Sequence, residues 1–269
     1  ETKSIKIISG NWKMNGSRKD IKKWFQNFFR KIEVFEKTNH RAIPSIVLCL
    51  PSIYLPFAKQ VAASYNDNSE QFRVFIGAQD CHYANSGSFT GNLSPSMLRE
   101  FSIEYTIVGH PERRKFESES DSIVANKAAA CLKNGITPII CIGEPAEIRE
   151  NGKYLEFIAK QVFESTENVD ISQAIIAYEP VWAIGTGKIP TLDEIEEMTS
   201  YVKKVLSKKS SVDANKITVL YGGSVKSNNV KEITDLKSVD GVLVGGASLK
   251  GDEFFDLVTK SLLTSSSHI

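Results

Sequence analysis

Residues 174–188 read AIIAYEPVWAIGTGK, and the rest of the chain is best read outward from them. Ala174, Ile175, Ile176 and Ala177 form an apolar run too short for a helix and without alternation, the pattern of a strand covered on both faces. Such strands belong to parallel sheets flanked by helices. Glu179 ends the run, and Pro180, with no N–H to give a ladder, turns the chain out of the sheet. A carboxylate is thereby placed at the mouth of a buried strand. Val181, Trp182, Ala183 and Ile184 are too apolar for a loop that stays in water, and Gly185 and Gly187 loosen its far end. The segment therefore predicts a lid that folds over something.

Similar apolar runs recur at 5–9, 45–50, 73–76, 105–108, 137–142, 217–221 and 241–244. Helix-like stretches lie between them at 19–37, 52–64, 120–134, 154–166, 192–209 and 252–262. Acidic residues gather at 193–197 and basic ones at 203–209, the polarity a helix dipole favours. This alternation, with no Pro/Gly/Ser-rich linker, predicts a single (β/α)8 barrel domain over residues 1–269. An open doubly wound sheet is the alternative. Against it, no G-x-G-x-x-G follows the first run, and Gly185-Thr186-Gly187 meets Pro190 where a third glycine would fall. Gly187-Lys188 is followed by Ile189, which excludes a P-loop.

Composition narrows the function classes. Of 269 residues 41% are hydrophobic and 24% charged, enough to bury a large core. The 33 basic and 32 acidic side chains leave a formal charge of +1, so neither nucleic acid nor a membrane surface is the expected partner. No apolar run approaches the ~20 residues that span a bilayer. The cytoplasm is the expected compartment, with a removed organelle-targeting segment left open because the sequence begins at Glu1. Cys49, Cys81, Cys131 and Cys141 form no C-x-x-C pair and are expected as free thiols. His40, His82, His110 and His268 lack ligand spacing, and no metal is expected.

In a (β/α)8 barrel the reactive groups sit at the carboxyl ends of the strands. After the first run come Asn11 and Lys13, after the fourth His110 and Glu112, after the fifth Glu144, and after the sixth Glu179. The seventh is followed by Gly222-Gly223-Ser224 and the eighth by Gly245-Gly246. A cation, an imidazole, carboxylates and glycine turns thus converge on one face.

The segments GNWKMN (10–15), Gly109-His110 with Glu112-Arg113-Arg114, CIGE (141–144), YEPVWAIGTGK (178–188), YGGS (221–224) and Gly245-Gly246 stand in one order. Over about residues 10–249 the chain resembles the triosephosphate isomerase family, whose fold is the TIM barrel. The resemblance implies interconversion of dihydroxyacetone phosphate and glyceraldehyde 3-phosphate through an enediol(ate), in glycolysis and gluconeogenesis, with no cofactor. It makes Glu179 the base, and His110 the group that polarises the carbonyl, a role suited to a neutral imidazole if its surroundings depress its pKa. It gives Lys13 fixed positive charge beside the oxyanion and Asn11 a hydrogen bond there, with Glu112 and Cys141 in support. Backbone N–H groups of Gly185, Ser224, Gly245 and Gly246 would hold the phosphate.

The same resemblance implies a homodimer in which the 81–91 loop inserts into the neighbouring subunit beside Lys13. Two positions depart from the family. Pro111 stands where a Ser is usual and cannot hold the base away from the site, so before substrate arrives Glu179 is expected nearer its working pose or more mobile. Asn92 stands where a Glu is common and removes a charge that could meet Arg113. Another phosphosugar isomerase or aldolase barrel, and a catalytically silent barrel, are the rival readings; Lys13, His110 and Glu179 together weigh against the silent one.

Overall fold

Eight parallel strands close into a barrel in chain order: β1 (Ile7–Asn11), β2 (Ser45–Cys49), β3 (Val74–Ala78), β4 (Tyr105–Val108), β5 (Thr137–Ile142), β6 (Ile175–Tyr178), β7 (Thr218–Gly223) and β8 (Gly241–Val244). The computed structural model describes residues 4–184, 186 and 188–263. Helices return outside the barrel: α1 (Arg18–Glu36) after β1, α2 (Leu55–Asn66) after β2, α3 (Pro95–Glu100) after β3, and α4 (Pro111–Phe116) with α5 (Asp121–Lys133) after β4. Then come α6 (Ala146–Glu150) and α7 (Tyr154–Ser165) after β5, α8 (Leu192–Ser210) after β6, α9 (Val230–Thr234) after β7 and α10 (Gly251–Ser261) after β8. Ile7 pairs with both Ser45 and Gly241, so β1 is bonded on two sides and the open-sheet alternative is excluded.

Strand residues alternate between two cores, as a period of two requires. Ile7, Val47, Cys49, Ile107, Ile139, Cys141, Ile175, Ala177, Leu220 and Leu243 pack together inside the barrel. Their neighbours Ile8, Ile46, Leu48, Ile140, Ile176 and Val242 pack outward with the helices. Ser9 points inward and donates its hydroxyl to the Val242 carbonyl at 2.8 Å. Helix α1 offers Ile21, Trp24, Phe25, Phe28, Phe29 and Ile32 as one buried stripe at three-to-four-residue spacing. The indoles of Trp12 and Trp24 both donate to the Ser248 carbonyl at 3.0 Å, tying β1 and α1 to the turn that follows β8. Thr191 and Glu194 form a reciprocal capping box that starts α8 immediately beyond the lid.

Strands β1, β3 and β7 run two residues beyond the apolar runs at 5–9, 73–76 and 217–221. The ladder continues through polar and small residues: Asn11 pairs with Cys49, and Gly223 with Val244. Helices α3, α4, α6 and α9 were not expected, because five or six residues are too few to show a helical period. The stretch at 52–64 begins as a 3-10 turn, Ser52–Tyr54, before α2.

Closure allows no side chain at residue 241, where a Cβ would overlap the Ile7 carbonyl oxygen. Gly241→Ala should therefore cost about 1–3 kcal/mol of stability, as overpacking does. The check is a urea titration; an unchanged midpoint would show that the β8–β1 seam tolerates a methyl.

Candidate active site

The inward alternation of β1 and β6, continued upward, reaches Asn11 and Glu179, and both are buried. The Glu179 amide donates to the Ile142 carbonyl at 2.8 Å, carrying the ladder one residue past β6. Ile142, Tyr178 and Tyr221 are partners across three neighbouring strands, so Gly143, Glu179 and Gly222 make the next level. A Cβ at Gly143 would overlap the Glu179 carbonyl oxygen, and one at Gly222 would overlap its Cγ. Glu179 fits because both flanking strands carry glycine at its height. The sequence reading gave Gly143 no role and took Gly222 for a turn; its signal was a glycine inside a strand pattern.

Lys13 has φ 54°, an unusual conformation for a residue with a side chain. Its amide donates to Asn11 Oδ1 at 2.9 Å. Gln79 Nε2 donates to the Lys13 carbonyl at 2.8 Å and reaches Asn11 Oδ1 at 3.3 Å and the Cys49 carbonyl at 3.2 Å. Strain of roughly 1–3 kcal/mol is thus held by neighbouring bonds, a pattern that clusters at functional sites. Gln79, one residue past β3, was missed because nothing in the strand pattern marks it. The Lys13 ammonium sits 2.6 Å from Glu112 Oε1, with side chains 37% and 44% exposed. A pair so wet is weak enough to yield to a ligand anion.

His110 caps the N-terminus of α4, its Nδ1 accepting the Glu112 N–H at 3.1 Å, and Pro111 takes the first helical position. Arg114 braces the approach: Nε donates to the Gly109 carbonyl at 2.8 Å, Nη2 to the Cys141 carbonyl at 3.0 Å, and Nη1 to Asp121 at 2.7 Å. His110 Nε2 faces Glu179 Oε2 at 3.4 Å, so the carboxylate is aimed into the site. Burial lowers the His110 pKa, but the Glu179 charge and contact, then Glu112, outweigh burial and the opposing Lys13 charge. The net shift is upward from 6.5. The condition attached to a neutral imidazole, surroundings that depress its pKa, is not met in this arrangement, because two carboxylates flank the ring. The Glu112 N–H on Nδ1 still fixes the neutral tautomer as the one with its proton on Nε2.

Asn11, Lys13, His110, Glu179, Ser224, Gly245 and Gly246 line one cavity of about 550 Å³. Lys188 and Lys226 line it too, cations the sequence reading did not assign. Gly185 lies outside the described residues. Glu112 stands beside Lys13 and His110, whereas Cys141 lies in the barrel core beneath, its thiol pushed well up by burial and then by Glu179. Glu144 is withdrawn from the site altogether. It is buried, accepts the Tyr178 hydroxyl at 2.7 Å and meets Arg149 at 3.3 Å; burial raises its pKa although both partners pull it down. Beyond Glu179 the chain makes the 3-10 turn Val181–Ala183, where the Trp182 indole meets the Tyr178 hydroxyl and the Arg149 guanidinium lies 5.3 Å from its ring. Among the described residues no group of three or more His, Cys, Asp or Glu could hold a metal ion.

Removing the Glu179 charge isolates its hold on the imidazole. A pKa raised by folding stabilises the protein fully below pH 6.5 and ceases to do so as pH rises through the higher folded value. In Glu179→Gln, the NMR titration of His110 should move down from its wild-type midpoint, and this acid-side contribution should shrink. A midpoint that stays in place would assign the upward shift to some other group.

The sequence profile of the triosephosphate isomerase family matches residues 6–261. Proteins described as triosephosphate isomerase from Shewanella baltica (strain OS155) and Shewanella putrefaciens (strain CN-32) are each 39% identical over 256 residues, covering 94% of this chain and 96% of theirs.

Proposed function

The chain belongs to the triosephosphate isomerase family and has that activity; on this premise we propose that Glu179 is the base that moves a proton between adjacent carbons of dihydroxyacetone phosphate and glyceraldehyde 3-phosphate. The observation that carries the proposal is the 3.4 Å approach of Glu179 Oε2 to His110 Nε2 within a cavity also lined by Lys13 and Asn11. A single carboxylate serves both transfers: it takes a proton from one carbon and returns it to the other. The Nε2–H of His110 donates to the carbonyl and hydroxyl oxygens between which the double bond shifts. Lys13 leaves Glu112 for the developing oxyanion, where fixed charge in a closed site acts strongly. Asn11 has its oxygen engaged by Lys13 and Gln79, which leaves its NH2 for the substrate. The proton transfers balance with these side chains alone.

A phosphate of about two negative charges meets the backbone N–H groups of Ser224, Gly245 and Gly246, with Gly185 joining them by family resemblance. Lys188 and Lys226 line the same cavity and supply charge that backbone dipoles lack. Closure of the lid over this end excludes water and keeps the enediolate from losing phosphate. A Schiff-base aldolase is disfavoured, since no barrel strand contains lysine.

A homodimer is part of the proposal. Beside Lys13 a second cavity of about 540 Å³ is lined by Met14, Cys81, Arg113 and Phe116, of which Met14 is 95% and Phe116 71% exposed. The 81–91 loop is prebuilt for insertion, with the His82 and Phe89 rings 4.0 Å apart and Tyr83 beside them. Arg113 meets Asp80 at 3.1 Å and Glu119 at 3.0 Å in its own chain, so the neutral Asn92 strands no charge. Among the described residues no helix is long and apolar enough to cross a membrane, and the cytoplasm is the proposed compartment.

Glu179→Ala should lower kcat at least ~10²-fold in a coupled assay with glyceraldehyde 3-phosphate, the contribution typical of a positioned base; a loss under about fivefold would remove it from that role. Sedimentation at micromolar concentration should show twice the single-chain mass, and a purely monomeric boundary would defeat the dimer.

A further inference from the structure

Helix α1 carries its charges at the wrong end. Its first turn holds Arg18 and Lys19 beside Asp20 and its last turn holds no basic residue, the opposite of α8 and of what the helix dipole favours. Arg18 with Lys22, and Lys19 with Lys23, are like charges four residues apart, which repel on a helix face. Among the described residues none of the four makes an ion pair, so in a chain of formal charge +1 they form a local, uncompensated excess. All four line a cavity of about 750 Å³ that has no carboxylate in its walls. It lies between α1 and α2: Gln26 and Asn27 continue the row along α1, and Phe57 of α2 supplies an aromatic wall. The Lys22 ammonium stands 5.8 Å from the centre of the half-buried Phe57 ring. None of these residues lines the active cavity or the one assigned to the neighbouring loop, so neither catalysis nor the proposed dimer accounts for them.

We propose that the groove between α1 and α2 binds a nucleoside polyphosphate, its phosphates on Arg18, Lys19, Lys22 and Lys23 and its base against Phe57. Local rules of helix charge are broken where function requires it, and a bound anion relieves the repulsion that α1 otherwise carries. Several linked phosphates match a row of cations two turns long better than a single charge does. The aromatic wall takes the flat face of a base, as ring stacking does in nucleic-acid sites. Gln26 and Asn27 make no side-chain hydrogen bond among the described residues, and each amide can both donate to and accept from the edge of a heterocycle. The cavity volume falls within the roughly 300–1,000 Å³ of small-molecule sites. An inorganic polyanion or a lipid headgroup would use the cations and leave the ring and the amides idle.

The test is equilibrium dialysis of the full chain against magnesium-free ATP at low ionic strength, where exposed charges are least screened. ATP should be retained once per chain, and inorganic triphosphate should compete about fivefold or more weakly, the margin that base–aromatic stacking supplies. The double variant Lys22→Gln/Lys23→Gln should weaken ATP binding about tenfold or more, the loss of two charge-assisted contacts, while its turnover of glyceraldehyde 3-phosphate stays at the wild-type rate. Phe57→Leu keeps an apolar side chain in place; it should bring ATP down to the affinity of triphosphate and leave the latter unmoved, with retained turnover as the check on folding. Lys13→Met should bind ATP as the wild type does, which separates this groove from the active cavity. No retention of ATP, equal affinity for ATP and triphosphate, or binding lost in Lys13→Met would overturn the site. Binding to phosphatidylglycerol vesicles that ATP does not displace would also overturn it, in favour of a lipid surface.

Discussion

The bonding of β1 to both β2 and β8 is the constraint on which the site depends. Lys13 follows β1 and Glu179 follows β6. In an open sheet five strand spacings of ~4.8 Å would separate them, roughly 24 Å, far beyond a three-carbon ligand. Closure turns that separation into a short path across the barrel mouth. It also gives each inward-facing strand end the same target, so residues scattered from Asn11 to Gly246 line one cavity. The tryptophan pair on the Ser248 carbonyl strengthens the seam from outside, and the β8–β1 contact has no room for a side chain at Gly241.

Within the mouth, four side chains stand in a line: Lys13, Glu112, His110, Glu179. Each contact can be exchanged. Lys13 and Glu112 are half in water, so a ligand anion can take the lysine at little cost. The Glu179–His110 contact is long at 3.4 Å, and substrate oxygens can replace it on the imidazole. Other groups are fixed by bonds that no ligand need disturb. Arg114 holds the backbone before His110, Gln79 holds the backbone at Lys13, and the Glu112 N–H holds the ring. A rigid frame carrying exchangeable contacts is what proton transfer at a preorganised site requires.

The barrel was legible because buried parallel strands are continuous apolar runs, and the charged residues that line the cavity were legible because charge at the end of such a run is conspicuous. Strand ends were less legible where the ladder continues through Asn11 or Gly222-Gly223, since pairing there follows geometry and not hydrophobicity. Glu144 shows the opposite failure. It sits at a strand end like Glu179 but turns toward Tyr178 and Arg149, and one residue of register separates a cavity group from a structural one. Gln79 and the Cys81–Cys131 contact depend on tertiary approach, which no local pattern reports. The direction of the His110 shift stayed conditional in the sequence for a related reason: it depends on where two carboxylates come to rest around the ring.

The position of Glu179 is decided as much by what its neighbours lack as by its own bonds. Glycines 143 and 222 flank it at one level of the barrel, one admitting its backbone and the other its side chain. A methyl at either point would push the carboxylate toward His110 or lift the start of the lid, because Glu179 is followed directly by Pro180 and the turn Val181–Ala183. Position of the carboxylate and position of the turn that follows it are therefore not independent. A change that moves one moves the other through two residues of backbone. The same reasoning reaches Pro111. It offers no side-chain hydroxyl to draw the carboxylate aside, so glycine clearance and the imidazole are left to determine where Glu179 points, and it points at His110.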